Sequence, residues 1–132
     1  MTDVPESHRD LLEGEIGTFA TVDSPGYPQL TDVWFLYEDG RLKLSFNTGR
    51  AKTANLHERP RCSLLIRDPE SPYRYLEIRG DTTIEPDDDY AFANRVGAKY
   101  GGADLSAHDK PEESRIVVTL HPTRVHAVDM SG

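Results

Sequence analysis

The chain has 132 residues, 36% of them hydrophobic and 29% charged, which fits one soluble domain spanning 1–132 and excludes a disordered chain. A formal net charge of −8 excludes nonspecific binding to nucleic acid or to an acidic membrane, so any basic surface must be local. The sole cysteine, Cys62, excludes an intrachain disulfide and a paired-thiolate zinc site; with no leader-like start and no membrane-spanning apolar run, a reducing cytoplasm is the expected home.

In chain order, SHRDLLEGE predicts a short helix capped by Ser7 and ending at Gly14. IGTFATV at 16–22 is β-branched and alternating, a strand with Ile16, Thr18, Ala20 and Val22 on one face. DSPGYP turns the chain, and QLTDVWFLYE at 29–38 reads as one long strand. Asp39-Gly40 is a strong hairpin signal, which pairs RLKLSF with the strand before it. Residues 50–58 are rich in Ala, Lys, Leu and Glu and are stopped by Pro60, so they predict a helix with Thr48 or Asn47 as its N-cap. RCSLLIRD at 61–68 is a buried strand and DPESP a turn. YRYLEIRGDTTIEP is a long strand that Gly80 bends or bulges. Pro86 and the acidic run Asp87, Asp88 and Asp89 open a helix to about Tyr100. A polar loop over 101–113 follows, and RIVVTLHP and TRVHAVDM end the chain as two strands. About seven hairpin-linked strands with small helices at the joints predict a mainly β barrel, whose ligands lie on its outer surface or between subunits.

The stretch NTGRAKTANLHERPR, 47–61, places Arg50 and Lys52 at a helix start, where cations are repelled unless an anion sits between them. Thr48 and Gly49 before them offer a close backbone approach and N–H groups, as in a phosphate cradle; the alternative is a solvated helix whose charges aid solubility. Gln29, Thr31 and Val33 share one side of a strand, and Ser45 and Asn47 one side of the next, a flat polar surface suited to a planar heterocycle or to cross-strand pairing. Tyr73 and Tyr75 flank Arg74 on one side of a strand, placed to cover a ring or to pack in a core.

These pieces in this order, GYPQLTDVWF, DGRLKLSFNTGRAKTANLHERPRCSLLI, the aromatic pair and EIRGDTTIE, resemble the split-barrel oxidoreductases related to pyridoxamine 5′-phosphate oxidase. Within them they are most similar to the deazaflavin branch that uses coenzyme F420. The likeness runs from about Gly14 to Val128, and RAKTANL with R-x-S-L-L-I is its most specific part. It implies a homodimeric split β-barrel with two interface active sites. It also implies that Arg50 and Lys52 hold the cofactor phosphate, with Asn55 supporting their helix. Gln29, Thr31 and Val33 would line the ring and ribityl chain, Ser45 and Phe46 would lie beside the phosphate arm, and Tyr73 and Tyr75 would reach over from the partner subunit. FMN, which shares the tricyclic head and ribityl phosphate, is the alternative cofactor, and a non-catalytic binding protein the alternative role. The Arg-Leu-x-Pro ending of true pyridoxamine phosphate oxidases is absent, so vitamin B6 oxidation is not expected. Hydride chemistry belongs to the cofactor; no nucleophile–base pair stands out, and Tyr75 or a bound water is the candidate proton donor.

Other chemistry-bearing residues read as structural. His57 sits at a helix end, and His121 and His126 lack spaced carboxylate or thiol partners, so no metal site is expected. The Asp87–Asp89 run lacks the ligand spacing of a calcium loop. Arg79-Gly80-Asp81 is a bulge within a strand, and Cys62 an apolar filler.

Overall fold

The structure, a computed structural model, describes residues 3–130. A 3-10 helix at Glu6–Glu13 leads into β1 (Gly17–Val22), β2 (Pro28–Val33), β3 (Leu36–Glu38) and β4 (Arg41–Asn47). Then come α1 (Ala51–Glu58), β5 (Arg61–Asp68), β6 (Ser71–Pro86), α2 (Ala91–Lys99), a second 3-10 helix at Leu105–His108, and β7 (Arg115–Asp129). The strands form one antiparallel sheet in the order β2-β1-β5-β6-β7-β4-β3. Only Trp34 and Phe35 separate β2 from β3, the two edges of that sheet. Three Cα steps reach about 10 Å, so the sheet must curl until its edges face each other. This curled sheet is a split barrel: no ladder joins β2 to β3 among the described residues.

Period-two alternation fills the inside. Phe19 of β1, Leu44 of β4, Leu64 and Ile66 of β5, Leu76 and Ile78 of β6, and Val118 and Leu120 of β7 are all buried in one cluster. Each such side chain contributes about 1.5–3 kcal/mol by leaving water. A second, smaller cluster of Phe92, Ala93 and Val96 from α2 with Leu105 packs outside the barrel. Among the described residues no helix is long and apolar enough to cross a membrane.

The hairpin at Asp39-Gly40 forms as expected, with φ of 54° and 74° at the two turn residues. Several other elements differ from the sequence reading. Residues 29–38 form two strands at opposite edges, because Phe35 is withdrawn into the core and its backbone is satisfied elsewhere. Its N–H donates to the Tyr100 hydroxyl at 3.1 Å, and its carbonyl accepts from Lys99 Nζ at 2.8 Å. Residues 115–129 are one strand rather than two. Pro122 pairs with Gly80, where the β6–β7 register shifts, so the missing proline N–H falls at the bulge. A Cβ on Gly80 would lie 2.1 Å from the His121 carbonyl oxygen, so only glycine permits this approach.

The helix expected from Pro86 begins at Ala91, since Pro86 still pairs with Ile116 and Tyr90 turns left-handed at φ 59°. The acidic run nonetheless serves that helix: the Asp87 carboxylate accepts from the Phe92 N–H at 3.1 Å and the Ala93 N–H at 2.9 Å. Ser7 does not cap the first helix, because its hydroxyl lies 2.8 Å from His8 Nδ1. Neither Thr48 nor Asn47 caps α1, whose flanking residue is Arg50. The 101–113 loop contains the second 3-10 helix, which rests on α2.

Candidate cofactor site at the start of α1

α1 is short and weakly amphipathic, so tertiary contacts set its position. Thr53 and Leu56 are buried beneath it, and the Asn55 amide donates to Thr21 Oγ1 of β1 at 3.0 Å and to Gln29 Oε1 of β2 at 3.3 Å. These bonds tie the helix across β1 and β2 and leave its first turn at the open rim of the barrel.

A cavity of about 320 Å³ opens there, between β2, β4 and the loop after α2. Val33, Ser45, Phe46, Asn47, Arg50 and Lys52 line it, so six of the residues read from the sequence meet at one place. Thr31 stands beside them, its Oγ1 accepting from Lys52 Nζ at 3.4 Å. Gln29 and Asn55 lie behind, as braces. Phe46 is a core residue first, packed on Phe19 with ring centroids 5.4 Å apart, and Lys52 Nζ sits 5.0 Å from its ring centroid.

The rim carries both signs: Asp32 lines it and accepts from the Thr18 hydroxyl, and the Glu113 carboxylate packs against Gly49 and accepts from the Lys110 N–H. Among the described residues neither Arg50 nor Lys52 has a carboxylate partner. Burial pushes the Lys52 amine below its ordinary value of 10.5, and the charge of Arg50 pushes it further in the same direction. An anion between the two would relieve both effects. The turn before α1 is less free than its sequence suggests. The Thr48 N–H donates to the Ser114 carbonyl at 2.9 Å, the Gly49 N–H to Asn47 Oδ1 at 3.1 Å and the Arg50 N–H to the Asn47 carbonyl at 3.3 Å. The N–H groups of Ala51 and Lys52 remain for a ligand at the helix start.

Tyr73 and Tyr75 are not brought to this cavity within one chain. Neither lines it, and both lie toward the far end of β6 from Pro86, about 35–45 Å of strand away. Tyr73 is 59% exposed. Sequence reasoning passed over the wall formed by Trp34, Leu105, His108 and Arg115. Trp34 stacks on Tyr100 with ring centroids 4.2 Å apart. Arg115 and Asp109 form a buried ion pair at 2.7 Å. An arginine opening an apolar strand was the one visible signal; its partner in a polar loop was not marked.

Two larger concavities differ in chemistry. One of about 850 Å³ is lined by Asp10, Glu13, Glu15, Asp32, Asp68 and Glu70 with Arg67 among them, and even with Asp10 and Asp68 paired to Arg74 its charge is net negative, which disfavours an anion. In the other, of about 550 Å³, Arg61 is paired with Asp81 and Arg79 with Glu77. Cys62 is buried there, and burial with Asp81 pushes its thiol up to about 12, which makes it inert at neutral pH. His121 Nε2 lies 2.9 Å from Thr83 Oγ1. Among the described residues no three His, Cys, Asp or Glu side chains are grouped as metal ligands.

Comparison with known proteins agrees with this architecture. The model of the pyridoxamine 5′-phosphate oxidase family matches residues 4–129. Among solved structures, an F420 reductase is 33% identical with a TM-score of 0.82, covering 93% of this chain and 98% of that one. A conserved hypothetical protein of Mycobacterium tuberculosis is 24% identical with a TM-score of 0.77, covering 97% and 86%. A Listeria innocua protein described as a putative pyridoxamine 5′-phosphate oxidase is 21% identical with a TM-score of 0.71, covering 92% and 95%. The last two likenesses speak to the fold alone. With the family model matching residues 4–129 of the chain and the curled seven-stranded sheet in place, the chain belongs to the pyridoxamine 5′-phosphate oxidase family of split barrels.

Proposed function

We propose that this chain is a cytoplasmic, homodimeric oxidoreductase that uses reduced coenzyme F420 to reduce an unsaturated or quinone-like small molecule. Its family and the F420 reductase neighbour support the broader class, an oxidoreductase of flavin or deazaflavin type. The observation that carries the reading is Arg50 with Lys52, two cations facing one cavity without carboxylate partners in a chain of net charge −8. The residues present fit a ribityl phosphate bearing a planar head: cations and open N–H groups at one end, hydroxyls of Thr31 and Ser45 and the apolar Val33 beside it.

When bound, a reduced deazaflavin supplies a hydride. The chain's own residues bind and orient. Arg50, Lys52 and the N–H groups at the start of α1 hold the phosphate, each charge-assisted bond contributing about 1.5–3 kcal/mol. Gln29 and Asn55 keep β2 and α1 in register, and Val33 with Trp34 keeps water from the ring side. Tyr73 and Tyr75 enter as the contribution of a second copy, since they are remote from the cavity in their own chain.

The test is a titration of purified protein with F420 and with FMN in parallel, followed by the fluorescence of Trp34, the sole tryptophan, which lines the cavity. Saturable binding of F420 alone supports the reading and justifies an acceptor screen. Preference for FMN moves the protein to flavin chemistry on the same site. Binding of F420 with no hydride transfer to any acceptor in a broad panel makes it a cofactor-binding protein, and binding of neither ligand overturns the site.

A further inference from the structure

Asp109 is a buried carboxylate that the reading above leaves without a task. Its side chain is 4% exposed, although it belongs to a loop that is mostly polar. It accepts from Arg115 Nε at 2.9 Å and Nη2 at 2.7 Å, from the Asn47 amide at 3.0 Å and from the Tyr90 hydroxyl at 3.3 Å. These donors use about the four acceptor positions a carboxylate offers. Arg115 pulls its pKa down against the opposing effect of burial, with Asn47 and Tyr90 adding, so the group is an anion at neutral pH.

Two arms lead from it to the cavity. The first runs through Asn47, which is buried beside the turn. Because the Asn47 NH₂ faces the carboxylate, its Oδ1 is the atom left to accept the Gly49 N–H, at 3.1 Å. The Asn47 carbonyl meanwhile accepts from the Thr53 hydroxyl at 2.8 Å and the Arg50 N–H at 3.3 Å. The second arm runs through Arg115, whose Nη1 donates to Ser45 Oγ at 3.3 Å and whose Nη2 donates to the Leu105 carbonyl at 2.9 Å. Ser45 and Leu105 stand on different walls of the cavity. A buried ion pair adds little stability over an apolar replacement, and what this one visibly does is fix the positions of the groups it joins.

We infer that Asp109 is a positioning residue for the anion end of the site: through Asn47 it sets the turn that presents Arg50 and Lys52, and through Arg115 it holds the opposite wall. The inference rests on the reading of the cavity as a phosphate-ester site. In Asp109→Asn the new NH₂ must face either Arg115 or the Asn47 amide, a donor against a donor, and the turn loses its reference. Contacts to a ring would persist while those to a phosphate would weaken.

The experiment measures dissociation constants of wild type, Asp109→Asn, Asn47→Ala and the double variant for two ligand pairs. These are F420 with its phosphate-free deazaflavin nucleoside, and FMN with riboflavin. In both single variants the phosphate-bearing ligand should bind about tenfold more weakly, and its phosphate-free partner within about twofold of wild type. The double variant should be no weaker than either single one, because both act on one path. Should Asp109→Asn not melt cooperatively, Asp109→Glu takes its place in the comparison, since it keeps a negative charge opposite Arg115 while displacing the acceptor that Asn47 faces. Should the phosphate-free ligands bind too weakly to measure, non-additivity in the double variant decides. Equal weakening within a pair, unchanged affinity, or additive losses overturn the positioning role. Wild type that binds no ligand of either pair overturns the cofactor reading itself, an outcome distinct from variants that match a binding wild type.

Discussion

Lys52 is held where a lysine is least at ease, half-buried at a helix start with Arg50 as its charged neighbour. Burial and Arg50 both work against its charge, so Lys52→Ala or Arg50→Ala should leave the melting temperature nearly unchanged. Each should weaken cofactor binding about tenfold, the loss of roughly 1.5 kcal/mol, as read by the Trp34 titration. The pH dependence follows in sign. Lysine is charged below its pKa, and here that value is depressed by burial and by Arg50, so affinity should fall as pH rises, beginning below 10.5. Lys52→Arg should remove that alkaline limb while keeping most of the affinity. The type and spacing of these residues were legible because a misplaced pair of cations needs no partner to be conspicuous. The use of the Gly49 N–H by Asn47, and the tie from Asn47 to Asp109, were not, since they join positions 47 and 109.

α2 shows how one element can decide another. Its last residue, Lys99, and Tyr100 just after it capture two stretches of backbone, the one before β1 and the one between β2 and β3: Lys99 Nζ donates to the carbonyls of Gly14 at 2.6 Å and Phe35 at 2.8 Å, and the Tyr100 hydroxyl donates to the Glu15 carbonyl at 2.7 Å. Tyr100→Phe keeps a ring for Trp34 to stack on but strands the buried Phe35 N–H. Leaving such a donor unpaired costs about 1–3 kcal/mol, measurable as a lower urea midpoint with the Trp34 emission spectrum little changed. Gly80→Ala tests the bulge. Its Cβ would meet the His121 carbonyl at 2.1 Å, so β6 and β7 must part, and a loss of about 1–3 kcal/mol is expected in the same assay. Strand 61–68, the Asp39-Gly40 hairpin and the Gly80 bulge were readable, because alternation and turn chemistry act over a few residues. The break at Trp34 and Phe35 was not, because Val33, Trp34 and Phe35 have every local reason to continue a strand.

At the scale of the molecule, one core cluster joins all the strands of the barrel with the first helix and α1. We therefore expect unfolding as a single unit, with Trp34 fluorescence and far-UV circular dichroism sharing one midpoint. Leu44→Ala, at a position with 0% exposure, should lower stability by about 2–5 kcal/mol in urea without separating the two probes. A chain of 132 residues is only marginally stable, by about 5–15 kcal/mol, so that loss should be plain. The sequence by itself determined that this chain is mainly β, which segments alternate, where the tight turn and bulge fall, and that two cations stand at the start of α1. Those properties reside in neighbouring residues. The tertiary structure alone decided that residues 29–38 divide between the two edges of the sheet and that 115–129 run through Pro122 as one strand. It alone decided that Asp109, Arg115 and Asn47 meet behind the cavity, because these outcomes depend on buried backbone and side-chain polar groups finding partners far along the chain.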